Sequence, residues 1–196
     1  MKNIILASAS PRRRELLEKL RIPFEIRVSD VKEIITKTVP AEIVEELSLQ
    51  KALAVAETEP DALVIGADTM VASDETVLGK PKDKEDAAAM LKSLQGKSHQ
   101  VYTGVTLTWM GEKEREIRTF SEASQVFLYP MTEEEIQRYV DTGEPMDKAG
   151  GYAIQGLFAV YVKGIAGDYN NIVGLPVARL YQELKKNGIV ILPANE

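Results

Sequence analysis

Ile4-Ile5-Leu6-Ala7-Ser8-Ala9-Ser10-Pro11-Arg12-Arg13-Arg14-Glu15-Leu16-Leu17 carries a strand, a turn and a helix start in immediate succession. Ile4 to Ala7 is wholly apolar and reads as a first β-strand. The spacing of Leu16, Leu17 and Leu20 reads as a helix. Ser10 is placed to cap that helix, and Pro11 suits its first turn, where a missing N–H leaves no bond unmade. Arg12, Arg13 and Arg14 then stand at the positive end of the helix dipole, where acidic side chains are preferred. Each such charge costs about 0.3–1 kcal/mol at an exposed site. The third residue after the cap is Arg13 rather than Glu, so no capping box forms. Two hydroxyls, free backbone N–H groups and three guanidinium groups on one turn make an anion site, and phosphate is the anion they suit best. The plainer alternatives are a basic surface turn or a terminal nucleic-acid patch.

The composition narrows the class. A chain of 196 residues is expected to form one domain and to bury roughly 70% of its unfolded surface, without staples. It has no cysteine, which excludes disulfides and thiolate metal sites and suits a reducing compartment, so a cytoplasmic location is expected. With 24 Lys+Arg against 30 Asp+Glu the net charge is −6, which argues against general nucleic-acid binding. An acidic protein that clusters arginines concentrates positive potential at one place. No segment approaches the roughly 18 apolar residues of a membrane span. The apolar start is too short for a signal peptide and runs directly into the arginines.

Strand and helix patterns alternate along the chain. Phe24 to Val28 alternates as a strand, and Pro40 to Glu57 has near-helical apolar spacing. Ala62 to Gly66 is a short apolar run of the buried-strand type. Asp83 opens a helix that stops at Gly96. Two long strand patterns, His99–Met110 and Arg115–Tyr129, flank a turn at Gly111. Thr132-Glu133-Glu134-Glu135 is a strong helix start, Ala153 to Val162 reads as a strand region, and Pro176 begins a last helix. The fold class expected is α/β with a mixed sheet rather than a doubly wound parallel one.

Four further segments carry chemistry. In Val64-Ile65-Gly66-Ala67-Asp68-Thr69, a carboxylate follows a buried strand, where α/β proteins bind ligands. Asp68 suits metal binding or activation of water, and equally the opening of a turn. Leu78-Gly79-Lys80-Pro81 lacks the full phosphate-loop pattern, and by spacing alone Lys80 is a solvated turn lysine. Asp147-Lys148-Ala149-Gly150-Gly151-Tyr152-Ala153-Ile154-Gln155-Gly156 combines charge, small residues and an amide. The Gln155 donor and acceptor match the O4 and N3–H edge of uracil or thymine, and suit many other partners as well. Lys163 to Asn171 reads as a hairpin turn. The lone histidine, His99, reads as a packing or hydrogen-bonding residue.

Leu6 to Leu17, Gly66-Ala67-Asp68-Thr69-Met70-Val71, Gly79-Lys80-Pro81, Asp147 to Gly156, Gly167-Asp168-Tyr169 and Val173-Gly174-Leu175-Pro176 stand in the order seen in Maf proteins, and the resemblance covers nearly the whole chain. It implies a single Maf-like domain over residues 1–196. The implied fold is similar to the inosine triphosphate pyrophosphatases: an elongated mixed β-sheet with flanking helices and two lobes around a cleft. The implied activity is hydrolysis of the α–β bond of a nucleoside triphosphate, with Mg²⁺ or Mn²⁺ as cofactor. The branch that prefers dTTP and UTP has Arg, Thr and Gln at three specificity positions, matched here by Arg12, Thr69 and Gln155. The proton acceptor corresponds to Asp68. Ser8, Ser10, Arg13, Lys51, Lys80 and Lys148 match phosphate and substrate positions, and Glu33 with Asp68 would ligate the metal. Gly151 stands where the branch often has Ala, and Ala153 where it often has Gly. Family members often form homodimers. The alternatives are a nucleotide-binding regulator of cell division with little turnover, or a related pyrophosphatase for modified nucleotides.

Overall fold

A computed structural model describes residues 3–73 and 76–189. In chain order the elements are β1 (Ile4–Ala7), α1 (Pro11–Glu18), β2 (Glu25–Ile26), α2 (Pro40–Thr58), β3 (Leu63–Ser73), β4 (Thr76–Leu78), α3 (Lys84–Leu94), β5 (Ser98–Met110), β6 (Arg115–Leu128), α4 (Glu133–Asp141), β7 (Val162–Ala166), α5 (Tyr169–Val173) and α6 (Val177–Lys186). Short 3₁₀ turns lie between α4 and β7. The strands form one mixed sheet in the order β2-β1-β3-β5-β6-β7, with β4 paired to β3. β1 runs parallel to β2 and β3, whereas β4 on β3 and β7 on β6 are antiparallel. This is the mixed α/β architecture that the alternating patterns predict. No helix among the described residues is long and apolar enough to cross a membrane.

The chain divides into two compact units. The first comprises the residues up to Asp68, Thr103–Glu122 and the chain from Gly174. The second comprises Thr69–Tyr102 and Ala123–Val173.

In the first unit, β1 is buried along its whole length, as its unbroken apolar run requires. Ile5 and Ala7 join Ala52, Val55 and Ala56 of α2 and Ala62 and Val64 in one core cluster. The packing is tight enough to reach backbone. A Cβ at Gly66 would lie 2.4 Å from the Ser48 carbonyl oxygen, and one at Gly104 would lie 2.1 Å from that of Val44. Two glycines on neighbouring strands therefore let α2 rest directly on the sheet. Buried hydroxyls stitch the contact: Ser48 Oγ meets Thr106 Oγ1 at 2.9 Å, and Thr106 meets Thr119 at 2.9 Å.

In the second unit, Asp83 caps α3 and Thr132 forms a full capping box with Glu135 on α4. Tyr139, Tyr152, Phe158 and Tyr161 make an aromatic cluster around the fully buried Phe158. Asn171 is buried and donates to the Val101 carbonyl and to Ser124 Oγ.

Several boundaries differ from the pattern reading. The first edge strand shrinks to Glu25–Ile26, because β1 pairs with it only at Ile5 and Leu6. The strand that begins near Ala62 does not stop at Gly66 but runs to Ser73, gaining β4 as a partner from Val71 onward. Ala153 to Val162 is not a strand. Leu157–Tyr161 folds as a 3₁₀ turn that buries Phe158 while Leu157 and Val160 face solvent, and the strand begins at Val162. Lys163 to Asn171 is not a hairpin turn. It is the body of β7 followed by α5, whose start is held by the Asp168 carboxylate on the Asn170 N–H.

The backbone contact at Gly66 gives a direct test. Gly66→Ala should destabilise the protein by about 1–3 kcal/mol, since neither the α2 backbone nor β3 has room to relax. Gly164→Ala, with nothing within 4 Å of the added methyl, should change stability by less than about 0.5 kcal/mol. Urea unfolding midpoints of the two variants check the contrast.

Candidate active site

The turn after β1 folds as its sequence directs. Ser10 caps α1, accepting from the Arg13 backbone N–H at 3.5 Å, and its own N–H donates to Ser8 Oγ at 3.3 Å. The three arginines then separate. Arg14 is exposed and pairs with Glu18 one turn along the helix at 2.8 Å, so it leaves the turn. Arg12 is half-buried on the first turn. Arg13 turns inward: Nε donates to the Gly174 carbonyl at 2.9 Å and a terminal NH₂ donates to Ser8 Oγ at 3.1 Å. Burial lowers its pKa, Asp68 raises it, Arg12 lowers it and Glu33 raises it. The guanidinium thus sits in the field of both carboxylates, with Ser8 fixing its plane.

Asp68 lies within β3 rather than at its end. β1 stops at Ala7, opposite Gly66, so Asp68 emerges just beyond the end of the neighbouring parallel strand, while β3 itself continues. That placement keeps the carboxylate at a strand terminus, but the terminus belongs to β1. Lys51, next in the chain to the Ala52 backbone that Gly66 admits to the sheet, reaches Asp68 Oδ1 at 2.5 Å and Glu33 Oε1 at 3.0 Å. The side chains of Lys51 and Asp68 are only 17% and 15% exposed, that of Glu33 46%.

Glu33 arrives on a strap without regular structure. The Ile34 N–H donates to Gln50 Oε1 at 2.9 Å, and Gln50 Nε2 donates back to the Ile34 carbonyl at 2.6 Å. The Thr36 N–H and hydroxyl both donate to the Glu46 carboxylate, at 2.8 and 2.5 Å, and these two bonds hold that carboxyl below its usual pKa. No hydropathy pattern in the strap announces this arrangement.

Asp68 and Glu33 therefore aim hard oxygen donors at one point, held in this structure around the Lys51 ammonium. Among the described residues no group of three or more acidic or histidine side chains forms a closed cage. Two carboxylates suit Mg²⁺ or Mn²⁺, which commonly take one or two protein carboxylates and fill the remaining positions with water and phosphate oxygens. The donor set fits such a cation.

The second unit carries Thr69, Lys80, Lys148 and Gln155. The Gly150 N–H donates to the Gly79 carbonyl at 3.0 Å, fastening the Lys80 loop to the Lys148 loop. Gly150 has φ +70°, and a side chain there would strike Val71 at 2.9 Å. Lys148 Nζ donates to the Glu144 carbonyl at 2.9 Å and to Asp147 Oδ1 at 2.5 Å. Lys80 and Gln155 are exposed and Thr69 is half-buried. Beneath the loop, the Tyr152 hydroxyl meets His99 Nε2 at 2.6 Å, with the rings edge to face. Burial lowers the His99 pKa to about 4. The site residues read from sequence thus fall into two groups. Ser8, Ser10, Arg12, Arg13, Glu33, Lys51 and Asp68 are in the first unit, and the other four are in the second.

At the level of fold, the chain superimposes on the Staphylococcus aureus Ham1 protein with a TM-score of 0.50 over 95% of this chain and 100% of that one, at 13% sequence identity. At the level of sequence, residues 3–187 match the profile described as Maf-like protein, and the chain belongs to the Maf family. It is 54% identical over 203 residues to a dTTP/UTP pyrophosphatase of Agathobacter rectalis, covering 96% of this chain and 99% of the relative. It is 54% identical over 187 residues to one of Bacillus cytotoxicus, covering 95% and 96%. A Bacillus cereus protein of the same name is 51% identical over 195 residues, covering 99% and 100%.

The buried histidine gives a pH signature. Its folded pKa lies below the unfolded value, so its contribution to stability is complete above about pH 6.5 and is lost as pH falls toward 4. Between pH 7.5 and 5 the loss from this residue should be about 2 kcal/mol. His99→Gln should flatten that part of the profile, as read by urea unfolding at each pH.

Proposed function

We propose that this protein is a nucleoside triphosphate pyrophosphatase that hydrolyses the α–β phosphoanhydride bond of dTTP and UTP, giving the nucleoside monophosphate and pyrophosphate. The observation that carries the reading is the Asp68–Lys51–Glu33 cluster within the field of a helix-borne, half-buried Arg13. A site for binding alone has no need of a carboxylate among phosphate ligands. The relatives named dTTP/UTP pyrophosphatase, at 50–54% identity over nearly full length, support the substrate.

The roles follow from the chemistry of each side chain. The α1 N-terminus, Ser8, Ser10 and Arg13 bind phosphate oxygens, the arginine through a fork whose orientation Ser8 and Gly174 set. Lys80 and Lys148 add point charges. Asp68 orients the attacking water and takes its proton as the oxygen bonds to phosphorus. Lys51 links Asp68 to α2 and fixes the carboxylate. Arg12, Thr69 and Gln155 select the nucleotide, with Gln155 facing the uracil or thymine edge. Asp68 and Glu33 would hold Mg²⁺ or Mn²⁺, which when bound supplies charge neutralisation for the triphosphate and the leaving pyrophosphate. The net charge of −6 and the absence of cysteine support a cytoplasmic enzyme that acts on free nucleotides rather than nucleic acid. The assembly we propose is a homodimer.

Pyrophosphate release from dTTP, UTP, CTP, GTP and 7-methyl-GTP, with Mg²⁺ or Mn²⁺ present, tests the reading. Turnover should concentrate on dTTP and UTP. Asp68→Asn should lower kcat by about 10²–10⁴-fold while the variant still unfolds in a single cooperative transition. Tight nucleotide binding with no release from any of the five would replace the enzyme with a nucleotide-binding regulator.

Chelation provides an independent check. EDTA should abolish turnover, and Mg²⁺ or Mn²⁺ should restore it. Unchanged turnover in EDTA would remove the cation from the mechanism.

A further inference from the structure

Gln155 stands at the apex of a tight turn. Tyr152, Ala153 and Ile154 before it are buried, and Gln155 is exposed. The Gly156 N–H closes the turn on the Ala153 carbonyl at 3.1 Å. A carboxamide that moves freely can reverse its donor and acceptor and pair with cytosine as well as with uracil. Selectivity therefore needs the carboxamide held in one place against the base, and a fixed backbone beneath it sets that place.

One residue supplies that fixity from outside the turn. Glu144 Oε2 accepts from the Leu157 N–H at 3.0 Å, and Oε1 accepts from the Tyr139 hydroxyl at 2.8 Å. Burial and the Glu144 hydrogen bond raise the pKa of the Tyr139 hydroxyl and the Ala153 backbone amide lowers it, which sets that hydroxyl against the other end of the turn. Its ring packs against Phe158 at 5.0 Å, and Phe158 packs against Tyr152 at 4.7 Å. Gly156 records how close the carboxylate comes. Its φ of −101° and ψ of −156° would admit an L side chain, yet a Cβ there would lie 2.3 Å from Glu144 Oε1. A side chain at Gly156 would therefore meet the carboxylate rather than strain the backbone, and would push the carboxylate out of its place. The same residue's main-chain carbonyl holds Lys148.

We propose that Glu144, with Tyr139, is a positioning residue for nucleobase selection: it clamps both ends of the Ala153–Leu157 turn and so holds Gln155 in the register that reads uracil and thymine. This rests on the substrate reading above, and the test separates the two. Wild type, E144A, E144Q, Y139F and G156A are compared by kcat/KM for UTP, CTP and GTP, and by hydrogen exchange at the Leu157 amide.

E144A and G156A should each lower the UTP:CTP preference by about tenfold or more and deprotect the Leu157 amide. The loss should appear chiefly in KM for UTP. E144Q keeps an acceptor for Leu157 and a partner for Tyr139, so it should retain most of the preference. Y139F keeps the packed ring and removes only the hydroxyl, so it should show a smaller loss of preference in the same direction. Unchanged preference and protection in E144A and G156A would overturn the clamp and leave the substrate reading standing. If E144A and G156A do not fold, unchanged preference and protection in Y139F would overturn it equally. A wild type that releases pyrophosphate without favouring UTP would overturn the Gln155 reading and the clamp with it.

Discussion

The contact on which the first unit depends is the direct rest of the α2 backbone on the sheet at Gly66 and Gly104. Helices usually stand off a sheet by the thickness of two side-chain layers. Here that spacing collapses, because neither strand offers a Cβ where the helix crosses. Lys51 is carried in by this approach and meets a carboxylate on β3 just after the small pair Gly66-Ala67. The strap rides on the same helix, through Gln50 and Glu46, and brings Glu33 to the lysine. One steric permission thus sets three charged groups from three parts of the chain within hydrogen-bond reach.

The arginine run shows a different kind of constraint. Read along the helix, a cation in the first turn of α1 opposes the dipole. Read in three dimensions, Arg13 is offset by a serine hydroxyl, a main-chain carbonyl and two nearby carboxylates, whereas Arg14 is relieved by Glu18 in the ordinary helical way. In the isolated helix the dipole penalty stands in full; the fold supplies the partners that offset it.

The same distinction explains what could be read from the chain beforehand. Capped helices were legible because their signals are local: Asp83 ahead of α3, Thr132 with Glu135 on α4, and Ser10-Pro11 on α1 each act within a few residues. The buried strands were legible as apolar runs. The true end of β3 was not, because Gly66, Ala67 and Asp68 interrupt the aliphatic run, while β4 supplies the pairing that keeps the chain beyond them extended. Leu157 to Tyr161 looked like strand because it is apolar, yet only Phe158 goes inward, and Glu144 seizes the backbone just before it. The candidate site residues stand out as a set only through their order along the chain. Their supports (the Gly174 carbonyl, Gln50, Glu46, Tyr139 and Glu144) carry no motif, since each acts on a partner remote in sequence or on main-chain atoms.

The strap is gripped mainly by its backbone. Gln50 pairs with the peptide groups of Ile34 and Glu46 takes the N–H of Thr36, while Val31, Ile34 and Ile35 point their side chains to solvent. A segment held in this manner is almost indifferent to what most of its residues are. Mutation can therefore wander freely over the outer face of the strap while the placement of Glu33 is inherited from a helix elsewhere in the chain. Across descendants of this sequence, the strap should diverge faster than the two α2 residues that hold it, and the exposed aliphatic face should be remodelled long before the chemistry beneath it changes.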